Sequence, residues 1–484
     1  AYPATNGPSP PVLLTSRSVT GAYAIPNPCC EVFTAFTNTV LVGPIRGAGR
    51  TEAMFFIERA VDLFAREIGM DPAEVRRINF VKPDQFPYET GLGWTYDSGN
   101  YEKALNRALE MIGYDSLAER KAEARRRGKR LGVGIGCYVA VAGVGPSPRM
   151  GQEGLIGSVW ASTHLIVQPT GEVSVTVGAQ PHGQSHVTTF SQVVATELGI
   201  PIDDIEILHS DTKGSPFGQG SYGSRTFSVE GACIQMACRQ IKDKARQLAA
   251  HMLQAPVDEV VYDAGKMYRS GYPEQVKTFK DIAMAAWLAW DLPKGMEPCL
   301  DVTTYFDPKE FNFPFGTHVA LVEIDEQTGK VDLVRYVAVN DVGNVGNPAV
   351  VDGQMHGNIA LGVGQALFEG AVYDRDGLLL TGDLTNYAIP RATDMPSFEL
   401  DRTVTPTPLN PLGAKGAGDV ANPAVPPAIV NAVCDALSDL GVKVVEMPVT
   451  AEKVWRLLHQ APWVSRITDP ERLAVVSGAP VGSL

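Results

Sequence analysis

Only two charges, Lys415 and Asp419, stand in the stretch NPLGAKGAGDVANPAVPPAIVNAV of residues 410–433. Among glycine, alanine and proline a carboxylate is poorly hydrated, which favours proton uptake and suits general-base work. An aspartate in a turn before an apolar helix also serves as a cap, so both roles are open for Asp419. A second segment, VGPIRGAGRTEA (42–53), sets Gly43, Gly47, Ala48 and Gly49 ahead of a helix, with Arg46 and Arg50 adding positive charge. Bare amides at a helix N-terminus can cradle a phosphate or oxyanion. A plain glycine-rich approach to a helix has the same composition, and Arg50-Thr51 stands where a Walker loop requires Lys followed by Ser or Thr. In GAQPHGQSHVTT (178–189), His182 and His186 are four residues apart, a metal-binding spacing only if one helix face holds both. Gly183 and Gln184 interrupt that helix, so the loop reads as amide and imidazole hydrogen bonding to a polar ligand, and no metal ligand is assigned. A fourth loop, FGQGSYGSRTFSVEG (217–231), places Gly223, Ser224 and Arg225 before a helix as another anion contact.

The elements that must hold these loops follow from periodicity. Residues 50–69 carry Met54, Ile57, Val61, Phe64 and Ile68 on one helical stripe, and Asp71-Pro72 gives the cap and first-turn proline of a second helix. Two segments share a layout: 163–186 and 317–357 each read as strand, Thr-Gly turn and returning strand, then a loop with Gln-x-His-Gly before a helix. This suggests a duplicated module whose two loops converge, bringing Gln354 beside the residues around His182. Further helices are expected at 228–252, 423–440 and 450–459, the last capped by Thr450. The opening, with four prolines in twelve residues, reads as an extended arm. The basic run 117–130 reads as a solvated helix face, and a boundary falls near 115–130. The class is α+β, with antiparallel hairpins packed against helices.

Composition sets outer limits. At roughly 100 to 200 residues per domain, 484 residues make two or three domains. A formal charge of −13, from 41 basic and 54 acidic residues, argues against a nucleic-acid or anionic-membrane surface and for a small-molecule substrate. Seven scattered cysteines without a C-x-x-C pair argue against a disulfide scaffold or a chain-borne iron–sulfur cluster and fit a reducing, cytoplasmic compartment. No apolar run reaches the roughly 18 residues of a membrane span, and the N-terminus lacks a signal-peptide layout.

Taken together and in order, RSVTGAYAIPN, RGAGRTEA, HGQSHVTTF, GSYGSR, NDVGNVGNP, DGQMHGNIALGVGQAL, DLTNYAIPR and TPTPLNPLGAKGAGD resemble the molybdenum hydroxylases of the xanthine dehydrogenase and aldehyde oxidase family. The likeness is greatest to the large subunit of carbon monoxide dehydrogenase-like enzymes, from about Arg17 to Gln460. It implies two molybdopterin-binding domains, residues 1–120 and 121–484, and a molybdopterin cytosine dinucleotide carrying molybdenum with a sulfido ligand. It implies cofactor contacts from Gly47, Ala48, His182, Gly183, Gln184, Gly223, Ser224, Arg225, Gln354, Lys415, Gly416 and Gly418. Arg46 would sit beside metal or substrate, and Asp419 would hold the place of the family's catalytic Glu. The activity implied is oxidation of an aldehyde or N-heterocyclic or aromatic small molecule with water as oxygen source, with Tyr138, Val144, Pro146 and Tyr387 as substrate-pocket candidates. A non-catalytic structural or assembly subunit is the alternative. Gly47-Ala48-Gly49 stands where carbon monoxide dehydrogenases carry their copper-binding Cys, which disfavours a copper centre, and His182 and Ser185 replace the usual Gln and Gly of a Q-G-Q-G-H run. The family's subunit begins with several hundred more residues. A separate chain is therefore expected to supply that half, with an iron–sulfur subunit carrying 2Fe-2S clusters and an FAD subunit completing the assembly.

Overall fold

The computed structural model describes residues 9–154, 157–215 and 217–459. Along the chain the helices are α1 (Ser9–Ser18), α2 (Arg50–Glu67), α3 (Pro72–Asn79), α4 (Tyr101–Ile112), α5 (Leu117–Arg126), α6 (Ser147–Gln152), α7 (His186–Leu198), α8 (Thr226–Met252), α9 (Phe279–Leu288), α10 (Pro348–Leu367), α11 (Val425–Ala436) and α12 (Ala451–His459). The strands are β1 (Tyr88–Glu89), β2 (Thr95–Tyr96), β3 (Lys129–Val139), β4 (Ala161–Val167), β5 (Val173–Val177), β6 (Ile205–Leu208), β7 (Val260–Asp263), β8 (Lys266–Arg269), β9 (Tyr272–Thr278), β10 (Leu300–Phe306), β11 (Phe315–Asp325), β12 (Val331–Asp341) and β13 (Phe398–Thr403).

Two four-stranded sheets repeat one wiring. In the first, β10, β4 and β5 are antiparallel neighbours and β6 joins β5 in parallel after the crossover helix α7. In the second, β3, β11 and β12 are antiparallel neighbours and β13 joins β12 in parallel after α10. The hairpins that start each unit pair Thr163 with Val177 and Thr317 with Val339, as the repeated strand–turn–strand pattern predicts. A parallel partner needs a crossover, which α7 and α10 provide. The helix following each unit then covers the sheet, α8 with Ile234, Ile241 and Leu248 in the first core and α11 with Ile429 and Val433 in the second. The alternating glycines of LGVGIGC explain the closeness of α11 to β3, since a Cβ on Gly134 would lie 2.0 Å from the Ala428 carbonyl. The other face of β3 and β11 meets α4 and an aromatic group including Trp94, Tyr101 and Phe315.

Three expectations need correction. Residues 9–18 form α1 and are not an extended arm; Pro10 and Pro11 fall in its first turn, where a missing N–H has no intrahelical partner to lose. On α2 the stripe is misplaced, because Phe64 and Ile68 are exposed. Its buried side is Ala53, Met54, Glu58, Arg59, Asp62 and Ala65. Long-range ion pairing lets polar residues go inside there: Glu58 meets Arg76 at 2.8 Å, with both side chains buried. The second Gln-x-His-Gly run is not a loop, because Asn347 caps α10 and Pro348 opens it, which puts residues 354–357 inside the helix. The basic helix α5 keeps most of its charges exposed as expected, and Lys121 at 2.6 Å from Asp435 and Arg125 at 3.0 Å from Asp439 tie it to α11 and the turn after it. Asp71 caps α3 as expected, accepting from the amides of Ala73 and Glu74. Among the described residues no helix is long and apolar enough to cross a membrane.

Candidate functional site

The loops that close the two units meet. A cavity of about 480 Å³ is lined by His182, Gly183 and Gln184 ahead of α7, Ser221 to Ser224 ahead of α8, Asn344 to Asn347 ahead of α10, and Lys415 to Asp419 ahead of α11. First-turn residues of α7, α8 and α10 also reach it, so three helix N-termini converge on one space. That arrangement favours an anionic ligand. A second pocket of about 220 Å³ shares Thr189, Phe227 and Asn344 to Gly346 with the first and adds Gln192, Thr196, Glu197 and Gln235. Gly183 lies at φ +88° with open space where a Cβ would point, leaving its amides bare toward the cavity.

Arg46 and Asp419 face this space from opposite ends of the chain. Arg46 donates from Nε to the Gly418 carbonyl at 2.6 Å and from Nη2 to Gln354 Oε1 at 2.6 Å. Asn422 Nδ2 donates to the Arg46 carbonyl at 2.9 Å, and Asn358 Nδ2 donates to the Gly418 carbonyl at 3.2 Å, so both loops share a brace. Burial pulls the Arg46 proton affinity down while Asp419 opposes it. Guanidinium groups titrate so far above neutrality that Arg46 stays charged.

Asp419 is not an isolated carboxylate. One oxygen pairs with Arg50, the other accepts from the Ser224 hydroxyl, and the Asp419 amide donates to Ser224 Oγ at 2.8 Å. Arg50 is buried, with its Nε on the Gly47 carbonyl at 2.7 Å, which orients the guanidinium toward Asp419. The sequence shows Arg50 only as a charge near a glycine loop; its partner lies 369 residues away.

Other expected residues divide. His182, Gly183, Gln184, Gly223, Ser224, Gln354, Gly416 and Gly418 line the cavity. Gly47 and Ala48 do not; at φ +109° and +44° they bend the chain behind Arg46. Lys415 borders the cavity, yet its ammonium turns inward to the Ser98 carbonyl at 2.9 Å and the Phe313 carbonyl at 3.2 Å. Burial lowers its proton affinity, with Asp97 and Asp341 opposing. Arg225 is likewise buried, donating to the Gly220 carbonyl at 3.1 Å, and it braces its own loop instead of facing a ligand. Tyr138, Val144, Pro146 and Tyr387 are not lining residues; Tyr138 is buried and donates to Asn340 at 2.8 Å. His186 is pushed down to about 4, first by burial and then by His209 and His182, so it is neutral near pH 7. Among the described residues no group of three His, Cys, Asp or Glu could hold a metal ion. Ser221, Tyr222, Asn344 and Asn347 also line the cavity, though the sequence alone does not single them out. For the two asparagines, the asparagine and glycine punctuation of NDVGNVGNP before a first-turn proline is the available signal.

Comparison with known proteins accords with this geometry. Residues 107–396 match one molybdopterin cofactor-binding domain and residues 2–80 another. The carbon monoxide dehydrogenase large chain of Afipia carboxidovorans is 38% identical over 449 residues, 91% of this chain and 55% of that protein. The nicotine 6-hydroxylase large subunit of Paenarthrobacter nicotinovorans is 35% identical, covering 90% of this chain and 53% of that protein. Quinoline 2-oxidoreductase from Pseudomonas putida 86 superposes with a TM-score of 0.85 at 33% identity, over 93% of this chain and 57% of that one. The chain thus spans a little over half the length of the relatives it matches. With a domain match covering more than half of its residues, and with that domain's loops converging on one cavity, the chain belongs to the molybdopterin cofactor-binding domain family.

Proposed function

We propose that this chain is the cofactor-binding, catalytic part of a multi-subunit molybdenum hydroxylase. It would take molybdopterin as the cytosine dinucleotide, act on an aldehyde or an N-heterocyclic or aromatic small molecule, and pass electrons to subunits carrying 2Fe-2S clusters and FAD. The carrying observation is the convergence of four glycine-containing loops and three helix N-termini on a cavity where Arg46 and Asp419 stand. The residues fit such a group: amides of the loops around Gly183 and Gly223 and the N-termini of α7, α8 and α10 suit a pyrophosphate, and Gln354 and Gln184 supply amide contacts for a pterin edge. When bound, the cofactor supplies the two-electron redox chemistry. The chain's part is placement and proton handling. Arg46 presents a positive edge held by Gln354, and Asp419 takes up a proton through the oxygen shared with Ser224 while Arg50 holds the other.

Asp419→Asn in the assembled enzyme tests this. Turnover should fall by at least about 10²-fold, the lower end of general-base contributions, with molybdenum and pterin content unchanged. One observation favours a second reading, a structural subunit without turnover: both oxygens of Asp419 are already engaged. Unchanged turnover in Asp419→Asn, or a purified complex with no molybdenum, would put that reading first. Asp419→Glu, which restores the family's longer arm, should keep activity if the site has only drifted and lose it if Arg50 and Ser224 fit aspartate alone.

A further inference from the structure

Helix α10 contains four glycines, Gly353, Gly357, Gly362 and Gly364, and none has the positive φ that requires glycine. Glycine in a helix interior is less stable than alanine, so each is either held by its surroundings or replaceable. Their surroundings differ. A Cβ on Gly353 would meet nothing within 4 Å, one on Gly362 would lie 2.4 Å from the buried Val425 Cβ, and one on Gly364 would lie 2.1 Å from Glu369 Oε1. On Gly357 it would lie 2.7 Å from Arg46 Nη1, and the next two atoms, at 3.8 and 4.0 Å, also belong to that guanidinium. Gln354 stands one turn before Gly357 on the same face of the helix. The guanidinium lies along that face. Nη2 donates to Gln354 Oε1 at 2.6 Å, Nε donates to the Gly418 carbonyl at 2.6 Å, and Nη1, over Gly357, has no acceptor among the described residues. Nη1 is therefore the end left for a ligand of the cavity that Arg46 lines.

We infer that Gly357 is a positioning residue for Arg46: its missing side chain lets the guanidinium lie along α10 with two nitrogens fixed and Nη1 free for the ligand. An alanine there would have to move it. Ordinary contact to a Cβ begins near 3.4 Å, so an approach of 2.7 Å must lengthen by several tenths of an ångström, and the tip of the arginine is the part that can give. The helix itself stays in place, because no backbone atom is among the near neighbours. Moving the tip strains or breaks its bonds to Gln354 and Gly418, and Nη1 leaves its place. Misplacing a ligand-orienting group by about 1 Å costs about 10²-fold in rate, and a smaller shift costs less. Gly357 thus differs from Gly362, which is kept by core packing, and from Gly353, whose Cβ position is open. This inference rests on the proposed function for what Arg46 meets, and on the packing alone for how Gly357 places it.

The test compares Gly353→Ala, Gly357→Ala and Gly362→Ala in the full chain, purified from its host in whatever assembly it holds. Labelling by phenylglyoxal, which needs both terminal nitrogens of a guanidinium, is followed at Arg46 by peptide mass spectrometry. Gly357→Ala should label severalfold faster than the parent, because Nη2 loses Gln354, while the other two variants label at the parent's rate. Thermal unfolding gives a second readout through a double-mutant cycle. In an Arg46→Met background the Cβ has no guanidinium to meet. Gly357→Ala should then raise the midpoint by about 1 °C, as Gly353→Ala does, and by less with Arg46 present. Gly362→Ala should lower it in both backgrounds. In a dye-reduction assay with benzaldehyde and quinoline as probe substrates, Gly357→Ala should lower kcat/KM about 10-fold at unchanged molybdenum and pterin content. Either an unchanged or slower labelling of Arg46, or equal midpoint shifts in the two backgrounds, would overturn the positioning role and leave the proposed function standing. A parent assembly without molybdenum would sink the proposed function, while the labelling and the cycle still decide the role of Gly357.

Discussion

In the unit built on β11 and β12, the loop that leaves the second strand hangs from a fully buried carboxylate. Asp341 accepts from the Thr403 and Thr405 hydroxyls at 2.8 Å and from the Gly343 and Thr405 amides at 3.0 Å. In the unit built on β4 and β5, the matching loop hangs from Glu230 on α8, which accepts from Thr163 Oγ1 at 3.2 Å and from the Gly178 amide. Its other oxygen has no hydrogen-bond partner among the described residues. The wiring of the two sheets is the same, and the difference lies in how many donors each carboxylate finds. A buried carboxylate with few donors is pushed toward its neutral form. Burial pushes Glu230 up to about 7, with Arg225, Thr163 and Gly178 opposing. One cavity-lining loop is therefore held by an anchor with four donors and the other by an anchor that titrates near neutrality.

Asp341→Ala should produce the largest effect on this comparison. Four donors lose their acceptor in a dry interior, and the cost should be about 4 kcal/mol. Urea unfolding would measure it. A cost under about 1 kcal/mol would mean that water replaces the carboxylate and that the two anchors differ little.

The Glu230→Gln variant sharpens the contrast through pH. Glu230 is raised when folded, so between its unfolded value of about 4.5 and about 7 the folded chain binds the extra proton. Stability is then present below the unfolded value and falls as pH rises through that window, levelling off above about 7. The loss is on the order of 3 kcal/mol at about 1.4 kcal/mol per unit. Glutamine keeps the acceptor for Thr163 and Gly178 without titrating, so the variant should be more stable than the parent at pH 8 and nearly equal to it near pH 4. Parallel stability-versus-pH curves for the two proteins would remove the titrating-anchor account.

What the sequence made readable was local. The paired strand–turn–strand patterns, the first Gln-x-His-Gly loop, the α8 helix and the Asp71 cap all depend on residues close in the chain; the second Gln-x-His-Gly, read as a loop, lies inside α10. The lost parts depend on distance. Arg50 lies buried because Asp419, far along the chain, neutralises it, and the polar inner side of α2 exists because Arg76 answers Glu58. Lys415 shows the reverse error: a lone cation in a glycine loop looks ligand-facing, but carbonyls of Ser98 and Phe313 draw it inward. Apolar periodicity carries no record of such partners, so it points to the wrong face of α2.

The smallest effect should come from two cavity-lining glutamines, Gln354 inside α10 and Gln184 in the loop ahead of α7. Gln354 accepts from Arg46 through Oε1 at 2.6 Å, and its carbonyl accepts from Asn358 at 2.8 Å. Removing that side chain leaves a half-buried guanidinium short of an acceptor, at a cost near 1.5 kcal/mol, the lower figure for a hydrogen bond to a charged group. Gln184 meets only its own loop, accepting from the His182 amide and donating weakly to the Gln180 carbonyl at 3.4 Å. Gln184→Ala should change stability by under about 0.5 kcal/mol, as substitutions outside a buried network do. Both variants should release pterin more readily than the parent, because both side chains line the cavity. Thermal unfolding with and without pterin release separates the two contributions. If Gln184→Ala cost as much as Gln354→Ala in the cofactor-free chain, the loop ahead of α7 would be as firmly fastened as the first turns of α10, and the contrast between the two units would have to rest on Asp341 and Glu230 alone.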